Sequence, residues 1–223
     1  MNKKNPHNTS NNHLINAVFY KLSEYYGDFD WWHKDKPYEV MLGAILVQNT
    51  NWNNAEKALK NLGNALDPRC ISEMKEEELA RIIKPSGYYN QKAKKVKALT
   101  AWFEKYHFDI NKVRRRDKPT LRAELLEIKG VGNETADAIL VYAIRKASFV
   151  IDAYTRRIFS RNGLSVPKNY DQFRRMIEIA IPEDNDLYAY YHGLMVDHAQ
   201  QFCTKTPKCN GCPLEETCLG LTE

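Results

Sequence analysis

The chain has 223 residues, 43% hydrophobic and 11% aromatic, enough to bury one large core or two smaller ones. A formal charge of +5 suits a polyanionic partner without demanding one. No stretch approaches the roughly 20 uncharged apolar residues of a membrane span, and the N-terminus lacks the apolar run of a secretory signal, so a cytoplasmic setting is expected.

Residues 1–13 are Asn-rich and polar and read as a disordered tail. Helical spacing of Leu14, Val18, Leu22 and Tyr25 predicts a helix over 13–26, closed by Gly27. An aromatic connector with Trp31 and Trp32 leads to Pro37. Residues 38–48 are apolar nearly all round, which predicts a central buried helix presenting Gln48-Asn49-Thr50 at its C-terminal end. Further helices are predicted over 52–62, 73–83 and 89–106, the last bearing the basic run Lys92, Lys94, Lys95 and Lys97. A charged loop over 111–118 precedes helices at 121–128, 133–144, 154–161, 170–181 and 186–201. Phe149-Val150-Ile151 is too brief to build a sheet. An all-α fold follows, with two helical lobes flanking a groove.

Gly130-Val131-Gly132 separates two of these helices. Such a turn exposes backbone N–H groups at a helix N-terminus, where unpaired donors and the helix dipole attract an anion. Glycines let a phosphate approach the main chain closely. Asp152 stands at the start of the next helix, as an N-cap, a catalytic carboxylate or both. Beyond Cys70, the remaining cysteines, Cys203, Cys209, Cys212 and Cys218, follow the pattern C-x5-C-x2-C-x5-C. An odd total and tight clustering argue for a metal site rather than disulfides. Four thiolates accept either a tetrahedral zinc or a 4Fe–4S cluster.

Residues 126–136, Leu-Glu-Ile-Lys-Gly-Val-Gly-Asn-Glu-Thr-Ala, resemble the helix–hairpin–helix of the endonuclease III superfamily of DNA glycosylases. Val150-Ile151-Asp152-Ala153-Tyr154-Thr155-Arg156-Arg157 resembles that family's catalytic-aspartate segment. The four cysteines resemble its cluster loop, with one interval a residue shorter than in the best-known members. Residues 42–50 and 87–93 match as well. The resemblance implies a six-helix barrel over 38–146, with the hairpin at about 121–145, and an iron–sulfur domain built from 14–37 and 147–223. It also implies a 4Fe–4S cluster, with zinc as the alternative occupant, and a monomer acting on double-stranded DNA that contains a damaged base. DNA contacts are expected from Gln48, Asn49, Tyr88, Lys129, Gly130, Val131, Gly132 and Thr135, with Gln48 filling the space a flipped base vacates and Tyr88 wedging into the stack.

Bifunctional members of that family carry a lysine nucleophile two residues past the second glycine; here Glu134 stands there. A lysine amine attacks C1′ and forms a Schiff base, which a glutamate cannot do. Asp152 can still stabilise a cationic sugar and position or deprotonate water. The expectation is therefore base hydrolysis without strand cleavage. Trp31, Trp32 and Trp52 resemble features of the branch acting on 3-methyladenine. Indole faces would stack on a cationic alkylated purine, with core anchoring as the competing role. Rival readings are removal of a mismatched or oxidised base, and a non-catalytic DNA-binding iron–sulfur module.

Overall fold

The computed structural model describes residues 6–28 and 35–220, with side chains from residue 10 onward. Trp31 and Trp32 lie outside the described residues. The chain divides into two compact units, Trp32–Lys146 and Met1–Trp31 with Ala147–Glu223. Among the described residues there is no strand, and the fold is all-α as expected. None of the described helices is long and apolar enough to cross a membrane.

The central unit contains α2 (Pro37–Leu46), α3 (Trp52–Leu62), α4 (Pro68–Glu73), α5 (Glu76–Ile82), α6 (Tyr89–Glu104), α7 (Ile110–Arg114), α8 (Lys118–Glu127) and α9 (Asn133–Ala138). A π-helical segment, Ile139–Ile144, continues α9 and is buried at every residue. Met41, Leu42, Ile45 and Leu46 of α2 are wholly buried in a core shared with Leu99, Leu121, Leu125 and Leu140. Polar side chains inside this core are paired, as burial requires. The Tyr38 hydroxyl lies 2.7 Å from Thr100 Oγ1, and Glu124 accepts from Trp102 Nε1 and the Tyr106 hydroxyl.

Three expectations need correction here. The helix expected over 73–83 spans only Glu76–Ile82, and a further helix, Pro68–Glu73, precedes it across the extended Met74 and Lys75. Lys97 Nζ from α6 donates to the carbonyls of Ile71, Ser72 and Met74, satisfying the end of α4 and stabilising the break. The charged loop over 111–118 is partly helical, because Asp109 caps α7 and Arg114 folds back onto the Ala143 and Ile144 carbonyls. The buried helix α2 stops at Leu46, so residues 47–49 form a turn in which Asn49 takes a left-handed φ of 55°.

The other unit contains α1 (Pro6–Tyr26), α10 (Ala153–Arg161), α11 (Tyr170–Ala180), α12 (Asn185–Gln201) and the cysteine loop. Helix α1 begins at Pro6, so residues 6–13 are helical rather than a disordered tail. Asn16 bonds the Asn12 carbonyl within the helix and the Ala180 carbonyl at the end of α11, a tertiary tie invisible in an Asn-rich composition. Phe149, Phe159, Tyr188 and Tyr191 pack edge-to-face in this unit's core, and the Tyr191 hydroxyl donates to the Ile15 carbonyl at 2.8 Å.

Candidate nucleic-acid interface and catalytic carboxylate

The hairpin is rigid by construction. Asp117 caps α8 through the Thr120 N–H and hydroxyl. Arg122 of α8 forks onto the wholly buried Asp137 of α9 at 2.9 and 3.1 Å and reaches Asn133 Oδ1 at 3.2 Å. Between the helices Gly130 has a φ of 90°, which favours glycine. Gly132 is an extended N-cap with no side chain and open space where a Cβ would stand. Lys129, Gly130 and Gly132 are exposed, as an outward-facing turn requires. Val131 differs from its neighbours in the turn. Its side chain is buried, and its N–H is spent on the Ile128 carbonyl at 2.9 Å. It anchors the turn rather than offering a donor.

Gln48 is bound to this turn. Its Nε2 donates to the Gly130 carbonyl at 3.2 Å and to Thr135 Oγ1 at 2.9 Å, while Lys95 Nζ donates to its Oε1 at 2.6 Å. Asn49 beside it is exposed. Tyr88 is 70% exposed in a left-handed conformation, φ 46°, at the start of α6. A large aromatic held outward in a sparsely populated conformation marks a position fixed by its surroundings. Trp52 is 49% exposed, with its ring tip over Gly43, where a Cβ would approach to 3.2 Å. It is therefore half anchor and half free surface. An open cavity of about 620 Å³ elsewhere in this unit, lined by Tyr38, Arg69, Phe103 and Phe108 among others, includes none of the expected site residues.

Asp152 caps α10, its Oδ1 accepting the Thr155 N–H at 2.7 Å. Its Oδ2 lies 3.5 Å from His192 Nε2 on α12. Burial pushes the carboxyl pKa up, but the hydrogen bond and charge of His192, with the Thr155 N–H, outweigh it and hold Asp152 below the usual carboxylate range. The peptide entering this position is pinned as well. The Phe149 N–H donates to Glu178 and the Ile151 N–H to the Tyr170 hydroxyl. His192 escaped the sequence reading because it lies within an apolar helical run, on an element distant in sequence from Asp152.

The opposite end of α10 grips the cysteine loop. Arg157 donates to the Cys203 carbonyl, and Arg161 donates to Cys203 Sγ at 3.2 Å and to the Thr204 and Lys205 carbonyls. The Arg161 carbonyl accepts from the Leu219 N–H and from Cys218 Sγ. Burial raises the Cys212 thiol pKa, as do the neighbouring Cys218, Cys203 and Cys209. Among the described residues, no three His, Cys, Asp or Glu side chains are already arranged around a common ion position. The donor chemistry nonetheless fits a soft metal centre, with four cysteines in one loop whose thiolates would need a cation between them and an arginine positioned to stabilise a thiolate.

The model of HhH-GPD superfamily base excision DNA repair proteins matches residues 42–183, which include the hairpin and Asp152. A candidate DNA repair glycosylase of Methanocaldococcus jannaschii is 43% identical, over 93% of this chain and 96% of its own length. Endonuclease III of Thermotoga maritima is 30% identical, over 83% and 84% respectively. The crystal structure of H. pylori 3-methyladenine DNA glycosylase bound to 1,N6-ethenoadenine superposes with a TM-score of 0.72 at 29% identity, covering 86% of this chain and 97% of that one. The chain thus belongs to the HhH-GPD superfamily and is a DNA repair glycosylase.

Proposed function

We propose that this glycosylase is monofunctional: it hydrolyses the N-glycosidic bond of a flipped damaged base and leaves the strand intact. The observation that carries the reading is a pairing of two positions. Asp152 is held as a carboxylate by His192 and the Thr155 N–H, while Glu134 fills the slot where a lysine nucleophile would stand. In the proposed reaction the C1′–N bond breaks with its electron pair leaving on the base. The Asp152 carboxylate stabilises the cationic sugar and takes a proton from the water that attacks C1′. Glu134, exposed in the first turn of α9, has no amine for a Schiff base.

The substrate class we infer is an N-alkylated purine such as 3-methyladenine, acted on in double-stranded DNA by a monomer. Such a base is cationic in DNA and leaves as a neutral molecule, so no strong acid is required. The exposed half of Trp52 supplies an aromatic face for a flipped cation. The likeness to the 3-methyladenine glycosylase supports this assignment. Cys203, Cys209, Cys212 and Cys218 would hold a 4Fe–4S cluster, which when bound would order their loop. Through Arg157 and Arg161, the loop then buttresses the helix that Asp152 caps.

A panel of duplexes, each carrying one lesion and assayed with and without alkali, tests the proposal. Strand breaks that require alkali, on alkylated-purine duplexes above all others, are expected. Breaks without alkali, accompanied by a borohydride-trapped adduct, would refute monofunctional hydrolysis. Preference for a mismatched or oxidised base would refute the substrate assignment.

A further inference from the structure

Lys95 lies one helical turn past Lys92 on α6, and the two are put to different uses. Lys92 is buried, with its ammonium donating to the Leu46 and Ser86 carbonyls; desolvation, with Lys95 nearby, lowers its pKa to about 8. Lys97 closes the end of α4. Lys94 is exposed, 4.0 Å from Glu76. Lys95 instead lies across the hairpin turn. A Cβ added to Gly130 would meet its Cγ and Cδ at 2.8 Å, so the lysine stem occupies the space that this glycine leaves open. Its ammonium donates once, to Gln48 Oε1 at 2.6 Å, and Gln48 in turn holds the Gly130 carbonyl and the Thr135 hydroxyl.

An ammonium has three donors, and Gln48 takes one. Lys95 is half-buried and has no carboxylate partner among the described residues. A cation fixed by its stem, beside an outward-facing glycine turn, with donors to spare, suits a phosphate oxygen. We propose that Lys95 is a positioning residue of the DNA interface: its stem sets the hairpin turn, and its ammonium holds Gln48 and takes one backbone phosphate. The inference rests on the family's action on DNA, not on which base is removed. The phosphate takes donors that Gln48 leaves unused, so one ammonium holds both the strand and Gln48.

The test measures binding of a short fluorescein-labelled undamaged duplex by the full chain at several salt concentrations. Lys95→Met keeps most of the stem and removes the charge. It should leave the melting temperature near that of the wild type, lower affinity several-fold, and make the log K against log salt slope less negative by about 0.9, the value of one phosphate contact. Lys95→Arg should restore the slope. Lys95→Gln serves as a second charge-free variant if methionine disturbs folding. An unchanged slope in a folded charge-free variant, whatever its affinity, overturns the phosphate contact. The packing half has its own check. Gly130→Ala and Lys95→Ala should be non-additive in stability, because removing the stem relieves the contact the new methyl creates. Strict additivity would overturn it. Salt-dependent binding by the wild-type chain tests the underlying DNA reading separately.

Discussion

Helices α9 and α10 begin with almost the same backbone and opposite chemistry. Gly132 caps α9 at φ −95°, ψ −179°, and Asp152 caps α10 at φ −101°, ψ −178°. Either geometry accepts any residue, so glycine at 132 is not forced by its dihedrals. A Cβ there would also meet nothing within 4 Å. Asp152 supplies its own anion to the helix start, and its charge is shared between the Thr155 N–H and His192. Gly132 supplies none; the acidic residue of α9's first turn is Glu134, two positions on, and the capping position itself is left open. In the proposed reaction one cap brings the reactive group, and the other would leave room for the substrate's backbone.

The sharpest way to break this contrast is Asp152→Asn. Asparagine keeps the capping acceptor but loses the negative charge. Base release should fall by about 10²- to 10⁴-fold, the range of a lost general base, with duplex affinity nearly unchanged. Single-turnover kinetics beside a binding titration separates the two; equal loss of both would make the carboxylate merely structural.

Asp137→Ala strikes the frame of the other cap. It leaves the Arg122 guanidinium facing an emptied, wholly buried site, and loss of one partner from a buried pair costs about 3–5 kcal/mol. Denaturant unfolding should register that loss. A cost below about 1 kcal/mol, the range of exposed pairs, would mean the hairpin helices are held together by their apolar faces alone.

Gly132→Asp converts the first cap into a copy of the second. Stability should rise by a few tenths of a kcal/mol, since an aspartate cap modestly outperforms glycine. Duplex affinity should nevertheless fall roughly tenfold, because the new carboxylate occupies the anion's place at the positive end of the dipole. A variant that binds DNA as well as the wild type would show that the glycine is not kept for the strand.

What could be read beforehand follows the distance over which each interaction acts. The glycine turn, the Asp152 cap and the cysteine spacing are local patterns and were visible as such. Lys95 over Gly130, His192 beside Asp152 and Arg161 on Cys203 join residues far apart in sequence, and no spacing rule points to them. The break between α4 and α5 was hidden for the same reason, since Lys97 of a later helix satisfies the carbonyls there. Helix α1 was underestimated because its asparagines argue against a helix locally, while Asn16 is repaid by a bond to α11. For Gln48, the resemblance implies a role in filling the space a flipped base vacates; the structure adds that its amide is engaged on both sides by Gly130, Thr135 and Lys95.

His192→Leu tests how the second cap holds its charge, and its effect is the smallest of these. The substitution removes the hydrogen bond and charge that oppose burial, so the Asp152 pKa should rise. The proposed hydrolysis needs the carboxylate, which is lost as pH falls through that pKa. The wild type, with its pKa held low, keeps activity into more acidic solution. In the variant the acid limb of base release should therefore move to higher pH, while the rate on the alkaline plateau changes little. The same shift acts on folding: a depressed carboxyl contributes stability above its unfolded pKa and loses it as pH falls through the folded one, so the variant should be less stable at neutral pH. If the acid limb stays in place while stability drops, His192 is a packing residue and the Thr155 N–H alone keeps Asp152 ionised.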